Sequence, residues 1–454
     1  MYTIIKCFSF LALIFTLTAC VNEKRMSHST PIGSPTPIKS ELVHPGMLST
    51  LSQLNLMKTR YQNNDALTLE QVELMQQHVA KSKKIRNPST QNSESGGGRF
   101  IYCGSFNKGK DKKTTVKACS WPAQDGVTAY THALLGLITG DVKHSHKAIA
   151  FLDSWTNINN FKGFDPKGMN AELQHGWIIP WFANAAEILR YTSPEWTTTH
   201  TLQMNDFIKR MMVLVTADAD LPPNNWMHAR IEAHIAAAIW LDDKAELNKA
   251  LNRWKKMSRS YFYMDSDNNQ PITPEPTRLT IKEVRERLWS RVTYIEGASL
   301  ETCRDINHES LGIRPIINSL TMAQAQNIDI LSGNDNRQRL IAFFTFMPTV
   351  MDEIKRANTV LDNPNATKEE KSTALKTAQR PFNMCKKPMK NTPRKALHLD
   401  PKMRSYPMAY ALLNNKHTPL KGLQKAINTT PSVKAAKWLQ KWETLIASTL
   451  EPIK

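Results

Sequence analysis

Residues 174–189 read QHGWIIPWFANAAEIL, and this stretch decides the fold. Ile179, Trp181, Phe182, Ala185 and Leu189 return at intervals of three and four, the spacing of one helix face. Working outward, the same period recurs at Leu134, Leu135, Leu137 and Ile138, and again at Ala148, Ile149, Leu152 and Trp155. It continues over 204–216, 226–241, 245–263, 282–291, 299–330, 338–357 and 433–449, while strong period-two runs are scarce. Turn signals punctuate these stretches: Thr139-Gly140-Asp141, Ser193-Pro194, Leu221-Pro222-Pro223-Asn224-Asn225 and Ser332-Gly333-Asn334-Asp335. Helix after helix with short turns predicts an all-α chain of stacked antiparallel hairpins, which can close into an (α/α) toroid around a central groove. Residues 85–100, with three consecutive glycines, and the polar segment 264–280 break the pattern and read as loops, the first a candidate lid.

The amino end sets the expected compartment. Lys6 precedes a short apolar run, Cys7–Thr18, too short to span a bilayer, and the run ends in Leu17-Thr18-Ala19-Cys20. This resembles a bacterial lipobox, so residues 1–19 are expected to be a lipoprotein signal peptide and Cys20 the lipidated residue that anchors the chain to a membrane. Residues 20–43, rich in Ser, Thr and Pro, read as a flexible tether, and 44–454 as the folded domain. The expected location is that of an exported bacterial lipoprotein, periplasmic or anchored in the outer membrane, where Val21 after the cysteine favours the outer membrane.

Removing Lys6 with the signal peptide leaves 58 basic against 40 acidic residues, a charge of +18 that attracts polyanions. An exported chain without a nucleic-acid motif meets acidic polysaccharide more readily than nucleic acid. The bias is strongest over 376–404, where nine Lys and Arg face Asp400 alone. Beyond Cys20, four cysteines remain in an oxidising compartment, and three pairings are open. Spacing favours Cys103 with Cys119 around a Lys-rich loop, leaving Cys303 with Cys385. No metal-type spacing such as CxxC or HExxH is present, so no metal site or cofactor is expected from motif.

Two clusters carry candidate chemistry. Asn224-Asn225-Trp226-Met227-His228 stands at a predicted helix start. An asparagine there is usually a cap, but its carboxamide also suits a carboxylate, and the imidazole can take a proton. In the second cluster Glu301, Arg304, Asp305 and His308 fall at i, i+3, i+4 and i+7, which predicts a shared helix face. The ordinary alternative is a solvated, salt-bridged surface. Gln174, His175, Trp177 and Trp181 supply a third group that would contact sugar through stacking and hydrogen bonds, although aromatic residues at helical spacing are more often core. Tyr130 is carried with them as a candidate contact, with packing as its plainer reading, the one also given to His234.

These motifs, in order, resemble the alginate-lyase family over much of 44 to about 330. The resemblance runs through His44-Pro45-Gly46-Met47-Leu48, Cys103-Gly104-Ser105-Phe106-Asn107, Ala129-Tyr130, Thr139-Gly140-Asp141, Lys147-Ala148-Ile149, 174–189, Asn224-Asn225-Trp226 and Glu301-x-x-Arg304-Asp305-x-x-His308. It implies a catalytic (α/α) toroid and metal-independent β-elimination of a 4-linked uronate polymer, alginate or a related polyuronate. By position, Asn225 and Arg304 would neutralise the uronate carboxylate and His228 would assist or act as base, while the spacing of Gln174 and Trp181 resembles family substrate contacts. The chain departs from the family where a His-Tyr pair is expected after the arginine: it has Asn307-His308. The tyrosine must then come from elsewhere, with Tyr294 the first candidate and Tyr130, Tyr261, Tyr263 and Tyr406 behind it, or His308 must substitute. Non-catalytic binding of an acidic polysaccharide is the alternative. Hydrolysis ranks third, because it needs two carboxylates about 5–9.5 Å apart across the bond, and Glu301 and Asp305 are neighbours on one predicted helix.

Overall fold

The computed structural model describes residues 41–82, 84–86, 100–101, 103, 112–157, 161–165, 170–217, 223–268, 270–274, 280–289, 293–304, 306–385, 405–415, 417, 419–429 and 442–453. The expected signal peptide, Cys20, nearly all of the tether, the glycine-rich 87–99, the loop 104–111, Asp305 and the basic run 386–404 lie outside the described residues.

In chain order the helices are α1 (Leu51–Gln62), α2 (Ala66–Lys81), α3 (Lys112–Thr139), α4 (Val142–Thr156), α5 (Ala171–Thr192), α6 (Thr198–Thr216), α7 (Asn225–Trp240), α8 (Lys244–Tyr261), the single turn α9 (Ile281–Glu283), α10 (Ile306–Ala325), α11 (Asn336–Asp362), α12 (Lys368–Gln379), α13 (Tyr406–Leu413), α14 (Lys421–Thr429) and α15 (Glu443–Ala447). Two-residue strands β1 (Phe100–Ile101) and β2 (Gly163–Phe164) pair in parallel and are the strands among the described residues. The fold is all-α, an (α/α) toroid of helical hairpins.

Burial separates the two layers. Every residue of α7 except Trp226 is buried, which identifies a helix surrounded by protein. Its hairpin partner α8 buries one stripe, including Leu247, Ala250, Leu251, Trp254 and Tyr261, and leaves lysines and arginines outside. The inner helices pack in sequence, α3 on α5, α5 on α7 and α7 on α10, with α4, α6 and α8 behind them. The closest approach between α5 and α7 needs Gly176, where a Cβ would lie 3.0 Å from the Ala229 carbonyl carbon. Because each hairpin turn reverses the chain, the inner helices run the same way. Arg230 therefore meets Glu172 at 3.7 Å and Arg314 meets Glu232 at 2.7 Å across neighbouring helices. Their amino termini collect at one end, the mouth.

The other end is strapped by residues 43–48. His44 Nδ1 meets Glu187 at 2.8 Å and its Nε2 meets Asp242 at 3.4 Å. The Gly46 N–H donates to Glu187, and Gln326 Nε2 donates to the carbonyls of Val43 and Gly46 at 2.9 and 2.6 Å. The Cys103–Cys119 pair favoured by spacing is present, and the two remaining cysteines are joined as Cys303–Cys385.

The predicted helix over 282–291 is α-helical through Glu283 and π-helical over Val284–Trp289, and of the one over 433–449 residues 433–441 lie outside the described residues. A third helix expectation is corrected. The predicted helix over 299–330 begins at Ile306, and residues 300–304 form a turn. Ser299 is drawn into a bridge with Phe262, and the hydroxyls of Ser299 and Thr302 donate to the Glu309 carboxylate at 2.8 and 2.6 Å. Side-chain bonding of this kind competes with helix and holds the backbone in a turn. Glu301, Arg304 and His308 therefore do not share a helix face.

Candidate active site

The mouth is built from the start of α7, the end of α8 and the turn before α10. Asn224 is the amino cap of α7: its side-chain oxygen accepts the N–H groups of Trp226 and Met227 at 3.1 and 3.2 Å. Its carboxamide oxygen thus serves the helix, the plainer of its two readings. Asn225 points inward and is buried, its N–H donates to Glu301 at 3.3 Å, and its side-chain oxygen meets no partner among the described residues. One turn later His228 is also buried, with neither ring nitrogen hydrogen-bonded among the described residues.

Tyr261 closes α8 with its ring edge-on to His228, centroids 4.9 Å apart. Gly312 in α10 makes room for it, since a Cβ there would lie 2.1 Å from the Tyr261 hydroxyl oxygen. The turn before α10 brings Glu301 and Arg304 together, Arg304 Nη1 lying 3.6 Å from the Glu301 carboxylate with half of the arginine side chain exposed. His308 is half-buried in the first turn of α10.

The electrostatics follow from this burial. Desolvation pushes the His228 imidazole down to about 3, so it is neutral across the physiological range. Burial raises the Tyr261 phenol well above its ordinary value, and the nearby charges of Glu301 and Glu309 push the same way, so it stays protonated. The mouth therefore holds an uncharged proton acceptor beside a retained proton donor, with a guanidinium and a carboxamide close by. The gathered helix amino termini add favourable potential for an anion.

No family model matches the chain, and no curated protein matches it in sequence. A solved structure does. The fold is similar to that of an alginate lyase from Bacteroides ovatus, at 13% identity and a TM-score of 0.50, over 79% of this chain and all of that one. At that identity the likeness concerns the fold.

The structure sorts the remaining candidates. Tyr294 stacks on Tyr263 at 5.0 Å and meets Trp289 at 5.9 Å, so Tyr261, and not Tyr294, is the tyrosine against His228. Trp181 and Tyr130 are corrected to core residues: both are buried, with ring centroids 5.4 Å apart, and Gly126 abuts the Trp181 side chain. Neither ring offers a face to a sugar. His175 is likewise structural, because its Nε2 accepts the Phe164 N–H at 3.2 Å and the buried ring is pushed down to about 3 by desolvation. Gln174 is buried with its side-chain oxygen unpartnered among the described residues, and Trp177 is half-buried. Sequence reasoning missed Ser299, Thr302, Glu309 and Gly312. The glycine inside a predicted helix was the available signal, since a close approach is the usual reason for one there.

Among the described residues no group of three or more His, Cys, Asp or Glu could hold a metal ion. No described helix is long and apolar enough to cross a membrane.

Proposed function

We propose that the protein is a polysaccharide lyase that cleaves a 4-linked uronate polymer, alginate or a related polyuronate, by β-elimination. The observation that carries this reading is the meeting of neutral His228 and protonated Tyr261 at 4.9 Å beside Asn225 and the Glu301–Arg304 turn. The fold likeness to an alginate lyase supports it.

Elimination removes the C5 proton and expels the 4-linked sugar. In this reading the Arg304 guanidinium and the Asn225 carboxamide neutralise the uronate carboxylate, which lowers the cost of negative charge developing on C5 and the carboxyl oxygens. His228 takes the C5 proton. The imidazolium that forms stands beside the developing dianion, which offsets the desolvation that disfavours it in the empty site. Tyr261 gives its proton to the departing O4, the role of a phenol held protonated. The net charge of +18 draws the polyanion to the protein.

A second reading, a polyuronate-binding protein without turnover, is favoured by one observation: His228 is 1% and Tyr261 0% exposed, so substrate must part the mouth to reach them. Ultraviolet absorbance separates the two, because elimination creates a conjugated unsaturated uronate. The chain from Ser40, where the compact unit begins, is incubated with alginate, polymannuronate, polyguluronate and glucuronan. A rise that is strongly slowed, yet still measurable, in Asn225→Ala and Arg304→Ala is expected. Binding with no rise on any polymer would favour the second reading.

Anchorage through Cys20 belongs to the same proposal and places the enzyme where imported or extracellular polymer is met. Labelled palmitate should enter the wild-type chain in a bacterial host and not Cys20→Ala, and equal labelling of both would remove the anchor.

A further inference from the structure

Arg304 has an unusual mount. It lies neither on a helix nor on a strand, but on a turn that leaves the Phe262–Ser299 bridge and enters α10 at Ile306. The inner half of the turn is well held: the Leu300 N–H donates to the Tyr261 carbonyl at 2.8 Å, Thr302 to Glu309 at 2.6 Å, and Glu301 accepts the Asn225 N–H at 3.3 Å. The outer half differs. Arg304 bonds back to the Glu301 carbonyl at 2.8 Å, its ion pair with Glu301 is long at 3.6 Å, and half of its side chain is exposed. A guanidinium on so open a turn is placed by its backbone.

The residue before it supplies the restraint. Cys303 is covalently joined to Cys385, 82 positions on. Cys385 follows the short 3-10 turn Arg380–Phe382 at the end of α12, and α12 packs on the 27-residue helix α11. The bond therefore ties the outer half of the turn to a separate helical pair.

We propose that the Cys303–Cys385 disulfide is a positioning element of the site, fixing the Arg304 guanidinium for the uronate carboxylate through the backbone of the 301–304 turn. It touches no substrate. Its effect reaches the reaction through Arg304, and the inference rests on the lyase reading above. A displacement of about an ångström in such a group is enough to cost on the order of 100-fold in kcat/KM.

The test is a double-mutant cycle on the full chain, with Cys303→Ser/Cys385→Ser, Arg304→Ala and the combination, assayed on the polyuronate that the wild type cleaves fastest, well below each melting temperature. Removing the disulfide should lower kcat/KM about 10- to 100-fold in the wild-type background and less than about twofold in the Arg304→Ala background, because coupled residues are not additive. A disulfide that only stabilises the fold would lower the melting temperature and leave kcat/KM unchanged in both backgrounds, or cause equal losses in both, and either result would overturn the proposal. Should the serine variant fail to fold, native wild-type protein is treated with a phosphine reductant, and mass spectrometry after alkylation identifies the opened pair. Opening Cys303–Cys385 must then weaken polyuronate binding in the wild type and not in Arg304→Ala, and unchanged binding refutes the role. A wild type that neither binds nor cleaves any polyuronate would instead remove the lyase reading, and this inference with it.

Discussion

Two buried polar groups on α7, one turn apart, have different surroundings. Glu232 is ion-paired: its Oε1 accepts from Arg314 Nη1 at 2.9 Å and from Asn318 at 2.7 Å, while its Oε2 lies 2.7 Å from Arg314 Nη2 without hydrogen-bond geometry. His228, equally buried, has neither ring nitrogen bonded among the described residues, and the Asn225 carboxamide oxygen is in the same state. Burying a polar atom without a partner costs about 1–3 kcal/mol, and in the lyase reading the substrate is what completes those at the mouth. The ion-paired cluster joins α7 to α10, and the unpartnered one stands at the helix mouth.

The largest expected effect breaks the ion-paired half. Glu232→Ala leaves the Arg314 guanidinium buried and unpaired, which should cost about 3–5 kcal/mol of stability, read from the urea midpoint. A loss below about 1 kcal/mol would mean that the pair behaves as a surface salt bridge. His228→Leu sharpens the other half. Removing the unpartnered imidazole should keep or raise stability by up to about 1–3 kcal/mol while abolishing turnover, whereas a large fall in melting temperature would mean that His228 is a satisfied core residue.

The smallest effect lies at the far end of the toroid. Burial alone would lower the His44 imidazole, but hydrogen bonds and charge from Glu187 and Asp242 outweigh it and raise it above 6.5. A raised folded value means that the contribution is complete below 6.5 and is lost as pH rises through the higher folded value. The melting temperature should therefore decline over that window in the wild type and less so in His44→Gln. Parallel curves would show that the strap does not depend on His44 charge.

The contrast also explains what the sequence could reveal. The layered helices were legible because α5 and α7 are rich in apolar residues at helical spacing and α8 carries one apolar stripe, patterns that report burial. Asn225, His228 and Arg304 were legible as residue types at a helix start and in a charged cluster. Tyr261 was legible only as one of several candidate tyrosines, because it reaches His228 by closing α8 against Gly312, a contact made only by packing. The helix face proposed for Glu301, Arg304 and His308 failed for a local reason, since Ser299 and Thr302 spend their hydroxyls on Glu309 and stop the helix short. Trp181 and Tyr130 failed for the general reason that aromatic spacing does not distinguish a core from a groove.

Mass spectrometry of the fragments released from a polyuronate tests the central claim most directly. Elimination yields a new non-reducing end that is unsaturated and one water lighter than the hydrolysis product, and the account predicts that fragment from the wild type and its absence with His228→Leu. Fragments that have gained water, or a polymer left intact by a protein that binds it, would contradict the account.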